Sequence, residues 1–163
     1  MVVMGVTGSG KTTVGEALAH AIHATYVDGD KLHPEANIAK MSAGIPLDDA
    51  DRWPWLAKVG ETLRQESTPI IVGCSALKRA YRDFIAEQAG APVLFIYLDG
   101  SRDLISRRMR ERTGHFMPTS LLYSQFETLE VPGKDENAVV VAIDAPLEKI
   151  VSDITATFEE RQS

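Results

Sequence analysis

The chain has 163 residues and a formal net charge of −6, from 17 Lys and Arg against 23 Asp and Glu. That length suits one domain spanning 1–163, and the acidic balance argues against nucleic acid or a membrane surface as the main partner. Cys74 is the lone cysteine; with no signal-peptide pattern and no apolar run near the about 20 residues of a membrane span, a cytoplasmic protein without disulfides is expected.

Residues 1–4 form a short apolar run that predicts the first strand. Gly5-Val6-Thr7-Gly8-Ser9-Gly10-Lys11-Thr12 follows and satisfies GxxxxGK[ST] at every fixed position. In that pattern the glycines let backbone N–H groups curl around a polyphosphate, the lysine reaches the terminal phosphates, and the hydroxyl holds a bridging Mg²⁺. Val14, Leu18, Ala21 and Ile22 then recur at helical spacing. Strand, glycine loop and amphipathic helix together point to a nucleoside triphosphate site rather than a plain turn. Its candidate residues are Gly5, Thr7, Gly8, Ser9, Gly10, Lys11, Thr12 and Thr13.

Further β-branched or apolar runs at 24–27, 70–72, 93–98 and 138–143 predict four more strands, with helix-like segments between them. Strands apolar on both faces imply a parallel sheet covered on two sides, with ligands at the carboxyl ends. Asp28-Gly29-Asp30 follows the second run. One reading makes Asp30 the group that orients and deprotonates an acceptor hydroxyl, with Asp28 facing the metal through water; the other makes the triplet plain turn chemistry. The stretch 31–68 contains Pro34, Gly44, Pro46 and Pro54 and is expected to fold as two or three helices forming a substrate-holding insert. Within it His33 has no second metal-type ligand nearby, which leaves substrate hydrogen bonding or a structural role. Arg52, among acids and ahead of a proline turn, is a candidate for an anionic acceptor, and burial accounts for Trp53 and Trp55.

After the third run, Lys78 and Arg82 are spaced to share a helical face and to grip a carboxylate, Arg82 by geometry and Lys78 by charge. Cys74 is not needed as a nucleophile in transfer to a hydroxyl. Arg108 and Arg112 lie four apart beside an apolar stripe of Ile105 and Met109, which suits a clamp on one phosphate chain; a solvated charged face is the alternative. Arg102, Arg107 and Arg110 are expected on that solvated face. A break around His115 separates this helix from another over 119–129 and would hinge a lid at about 112–122.

These blocks resemble the bacterial-type gluconate kinases of the P-loop kinase superfamily. The likeness rests on GVTGSGKT from Gly5, DGDKLHPEANIAKM from Asp28, GIPLDDADRWPWL from Gly44, CSALKRAYRD from Cys74 and HFMPTSLLYSQFETLEVP from His115. It covers nearly the whole chain, although fewer residues precede the glycine loop than is usual, leaving a short first strand. The resemblance implies ATP- and Mg²⁺-dependent phosphorylation of D-gluconate to 6-phospho-D-gluconate, a nucleoside-monophosphate-kinase-like three-layer α/β fold with a mobile lid, and a homodimer. By position, Gly8, Gly10, Lys11 and Thr12 match the residues that bind ATP phosphates and metal, Arg108 and Arg112 the lid-side arginine pair, and Asp30, His33, Arg52, Lys78 and Arg82 the gluconate pocket. His115, in the expected lid, is a candidate for a substrate or lid contact, with a structural role as the alternative. A shikimate- or nucleotide-type kinase is the nearest rival. A GTP-dependent switch is disfavoured because neither DxxG nor [NT]KxD occurs.

Overall fold

Val2, Val3 and Met4 have no solvent exposure, because β1 (Val2–Met4) is the central strand of a five-stranded parallel sheet in the order β2-β3-β1-β4-β5. The computed structural model describes residues 1–64, 69–111 and 119–162. The other strands are β2 (Thr25–Asp28), β3 (Ile70–Gly73), β4 (Phe95–Asp99) and β5 (Ala138–Ala142). Short as it is, β1 pairs on both sides, Val2 standing opposite Val72 in β3 and Phe95 in β4.

The period of two along each strand divides the core. Val3, Ile71, Ile96 and Leu98 pack on one face against Leu18 of α1 (Lys11–Ile22), Ile105 of α5 (Arg102–Glu111) and Ile154 of α7 (Leu147–Gln162). Val2, Met4, Ile70, Val72 and Phe95 pack on the other face against Leu56 of α3 (Asp49–Arg64) and Ile85 of α4 (Arg79–Ala89). The three-layer α/β architecture expected from the alternation of apolar runs and helices is the one observed.

Between β2 and β3 the chain forms a 3₁₀ turn (Gly29–Leu32), α2 (Glu35–Ser42) and α3. The start of α3 is fixed by reciprocal capping: Asp51 N–H donates to Asp48 Oδ1 at 2.9 Å, and Asp48 N–H donates to Asp51 Oδ2 at 3.0 Å. Pro54 corrects one expectation, for it lies inside α3 and forms no turn. It is tolerated because the carbonyl it leaves without a donor belongs to Ala50, in the exposed first turn of the helix. Within the stretch 31–68, expected to hold two or three helices, Trp55, Leu56 and Val59 of α3 are core residues packed with those of the sheet. Residues 65–68 lie outside the described residues. The helix expected at 119–129 is α6 (Thr119–Thr128).

Candidate active site

The glycine loop joins the carboxyl end of β1 to the first turn of α1, with its amides at that helix's positive end. Its glycines have separate reasons. Gly8 has φ +82°, and a Cβ there would stand 2.7 Å from Met109 Cγ, so α5 presses directly on the loop. Gly10 has φ +97°, and nothing lies within 4 Å of where a Cβ would stand, which is the open approach a phosphate requires. Lys11 Nζ donates to the carbonyls of Gly5 and Val6, both at 3.1 Å. Burial pushes its pKa down, and Asp30, Cys74 and Asp28 oppose that shift, so both carboxylates lie within electrostatic reach of the ammonium. Ser9 Oγ is buried without a hydrogen-bond partner among the described residues. Thr12 is exposed, and Tyr26 Oη lies 3.5 Å from its hydroxyl.

Beyond β2, Asp28 Oδ1 accepts the Asp30 N–H at 3.0 Å, so Asp28 is a turn former as well as a neighbour of Lys11, while the Asp30 side chain is exposed. Trp55 Nε1 donates to Gly29 O at 2.8 Å and its indole stacks on His33, with centroids 4.2 Å apart. Asn37 determines the tautomer of that histidine. Its Nδ2 donates to Asp51 O at 2.9 Å, which fixes the amide's orientation, and lies 3.1 Å from His33 Nδ1. Nδ1 is therefore the acceptor and the ring proton sits on Nε2. Burial lowers the His33 pKa, with Asp30 opposing and Arg52 reinforcing the shift, which favours that neutral ring. Farther along, Arg52 Nη1 donates to Asp49 Oδ1 at 3.3 Å and to Tyr81 Oη at 3.2 Å, Tyr81 Oη donates to Asp49 Oδ1, and Lys78 Nζ stands 3.8 Å from Asp49 Oδ2. Both cations also face the Tyr81 ring, at 5.9 and 5.6 Å from its centroid. Burial, then the hydrogen bond to Asp49, pushes the Tyr81 phenol up to about 12.

One crest of strand ends thus carries a phosphate cradle, an exposed carboxylate and a pair of cations around a tyrosine. A family model described as an AAA domain matches residues 1–132. The thermoresistant gluconokinase of Escherichia coli (strain K12) is 49% identical over 156 residues, covering 93% of this chain and 88% of that relative. The gluconokinase of Gluconobacter oxydans (strain 621H) is 43% identical, covering 98% of this chain and 90% of its own. The chain belongs to the gluconokinase family. The crystal structure of a gluconokinase from Sinorhizobium meliloti 1021 superposes with a TM-score of 0.87 at 53% identity, over 95% of this chain and 88% of that one. Membership makes the chain a kinase, a phosphotransferase with an alcohol acceptor.

In this gluconokinase-family chain Arg82 departs from its expected place. Its side chain is only 1% exposed and ion-paired with Glu136, Nε to Oε1 at 2.7 Å and Nη2 to Oε2 at 3.1 Å. The remaining donors meet Ala76 O at 2.8 Å and Glu130 O at 2.9 Å. Lys78 and Arg82 do not share a helical face, because Lys78 is the extended N-cap residue of α4; Lys78 turns to Asp49 and Arg82 turns inward. Arg82 therefore ties α4 to the 130–136 loop and is not turned toward an acceptor. Arg108 donates to Ile143 O at 2.8 Å, at the end of β5. Arg102 is exposed, as expected of the solvated face, and it also lies over the rings of Tyr123 and Phe126, 5.4 Å from each centroid, which braces α5 to α6. Arg112 and His115, with most of the expected lid at 112–122, lie outside the described residues. Thr13 is exposed one residue past Thr12. Cys74 is fully buried and its thiol is pushed up to about 12 by burial, consistent with an inert packing role. Asp49 and Tyr81 escaped notice although each stands three residues from a named cation, a spacing that could have pointed to them.

Proposed function

We propose that the chain transfers the γ-phosphoryl group of ATP to the 6-hydroxyl of D-gluconate, giving 6-phospho-D-gluconate and ADP. The observation that carries this reading is the separation of charge along the strand ends: Lys11 and the glycine loop at one end, Arg52 and Lys78 at the other, and Asp30 within electrostatic reach of both Lys11 and His33. Gluconate has the same polarity, a carboxylate at one end and the reacting primary hydroxyl at the other. Arg52 and Lys78 receive the carboxylate, His33 donates its Nε2–H to a chain hydroxyl, and Asp30 accepts the proton of the 6-hydroxyl. Lys11 leaves its two loop carbonyls to draw in the terminal phosphates, and Arg108, with Arg112, clamps the phosphate chain.

No cluster of three or more His, Cys, Asp or Glu able to hold a metal occurs among the described residues. That donor set fits Mg²⁺, which keeps several waters and takes few protein ligands beside substrate phosphates: the Thr12 hydroxyl would hold it directly and Asp28 through water. The ion supplies charge neutralisation across the phosphate oxygens. A cytoplasmic homodimer completes the reading; the family likeness supports the dimer and the buried lone cysteine suits a reducing compartment. The test is ADP release with gluconate, shikimate and AMP offered in parallel. Turnover with gluconate alone is expected, and turnover confined to AMP or shikimate overturns the assignment.

A further inference from the structure

The glycine loop is gripped from outside by a residue that its motif does not contain. Gln125, on α6, lies 118 residues from Thr7 in the chain and meets it twice: Thr7 N–H donates to Gln125 Oε1 at 2.6 Å, and Gln125 Nε2 donates to Thr7 Oγ1 at 3.0 Å. A backbone N–H only donates, so the carboxamide oxygen must face it, and the amide nitrogen must then face the hydroxyl. The Thr7 oxygen is an acceptor in that contact, which leaves its own hydrogen to point away from Gln125. Thr7 adjoins Gly8, the glycine against which Met109 packs, and is half-buried in the loop. The grip has a firm base, since α6 is braced to α5 through Arg102 over Tyr123 and Phe126, and α5 touches the loop through Met109 and Ile105.

We infer that Gln125 is a positioning residue for phosphoryl transfer: it fixes the Thr7 peptide and aims the Thr7 hydroxyl hydrogen at an oxygen of the bound triphosphate, tying the helix after the 112–118 segment to the phosphate cradle. This rests on the proposed nucleotide site, and it adds to that reading a route by which movement of α6 alters the loop. Gln125→Met tests it, because the thioether keeps the volume of the stem while removing both hydrogen bonds. Affinity for a non-hydrolysable ATP analogue is measured by calorimetry, which reports on the loop whatever the acceptor is, alongside kcat and KM for ATP and gluconate and a thermal melt.

Gln125→Met is expected to weaken analogue binding and kcat/KM for ATP about tenfold, with KM for gluconate within about twofold of wild type. Thr7→Val should give a similar loss, and the double variant should be no worse than the poorer single, as two groups acting through one contact require. Overturning results are a lowered Tm with ATP parameters unchanged, which leaves Gln125 a purely structural tie, or losses that simply add. If Gln125→Met does not fold, Thr7→Val alone decides: unchanged ATP parameters there refute the aimed hydroxyl. Failure of the gluconate assay with normal analogue binding strikes the proposed acceptor and leaves this inference standing.

Discussion

Arg82→Ala separates two physical roles that the bare sequence leaves together. The guanidinium satisfies the Glu136 carboxylate and two backbone carbonyls, in a pair whose side chains are 1% and 8% exposed. Its removal leaves Glu136 with the Gly133 N–H at 2.9 Å and strands the carbonyls of Ala76 and Glu130. Ala76 is itself held at φ +44°, a conformation that disfavours a side chain. Breaking a buried pair by deleting one partner costs about 3–5 kcal/mol, or a fall in Tm of about 10 °C for a domain of this size. Calorimetric melting checks this, with steady-state kinetics on the folded variant well below the transition. KM for gluconate is expected to stay within about twofold of wild type. A Tm near that of wild type together with a gluconate KM raised tenfold or more would refute the structural role and return Arg82 to the acceptor pocket. The same bridge has a pH signature. The hydrogen bond from Arg82 holds the Glu136 carboxyl below its ordinary value, so its stabilisation is complete above that ordinary value, about 4.3, and is lost as pH falls through the lowered one. Glu136→Gln should therefore lose less stability than wild type on acidification across that window.

Asp30→Asn should lower kcat about 10²–10⁴-fold while ATP still binds; wild-type ADP release from this variant would remove Asp30 as the base. Lys78→Ala should raise KM for gluconate about tenfold with little change in KM for ATP, measured under saturating partner substrate, and an unchanged gluconate KM would exclude Lys78 from the carboxylate grip. Gly73→Ala would place a Cβ 2.1 Å from Tyr26 Oη, an overpacking of about 1–3 kcal/mol. Adding Tyr26→Phe removes that oxygen and should recover part of the loss in urea unfolding; no recovery would mean the strain lies elsewhere.

Much of the site is legible in sequence because its chemistry is local. The glycine loop needs particular residues at fixed spacing, and Asp28 and Asp30 stand at the carboxyl end of a parallel strand, where such folds place their ligands, so both were nameable as candidates from pattern alone. Pro54 misleads for the opposite reason. A proline usually ends a helix, yet here the carbonyl it leaves unpaired faces water in the first turn, and the helix continues into the core through Trp55 and Leu56. Lys78 and Arg82 mislead because their spacing presumes a helix that includes Lys78, whereas α4 begins one residue later, at Arg79.

Sequence by itself determined the sheet and helix alternation, the phosphate cradle and the family, since each is encoded in short-range periodicity or in a contiguous motif. Tertiary structure alone decided how each cation is partnered. Arg82 is withdrawn by Glu136, 54 residues away, whereas Arg52 and Lys78 converge on Asp49 and Tyr81. Likewise Gln125 meets Thr7 only because α6 folds back over the loop. A side chain's partner is set by where distant elements pack, and burial then decides whether its charge is spent inside the fold or left for a ligand.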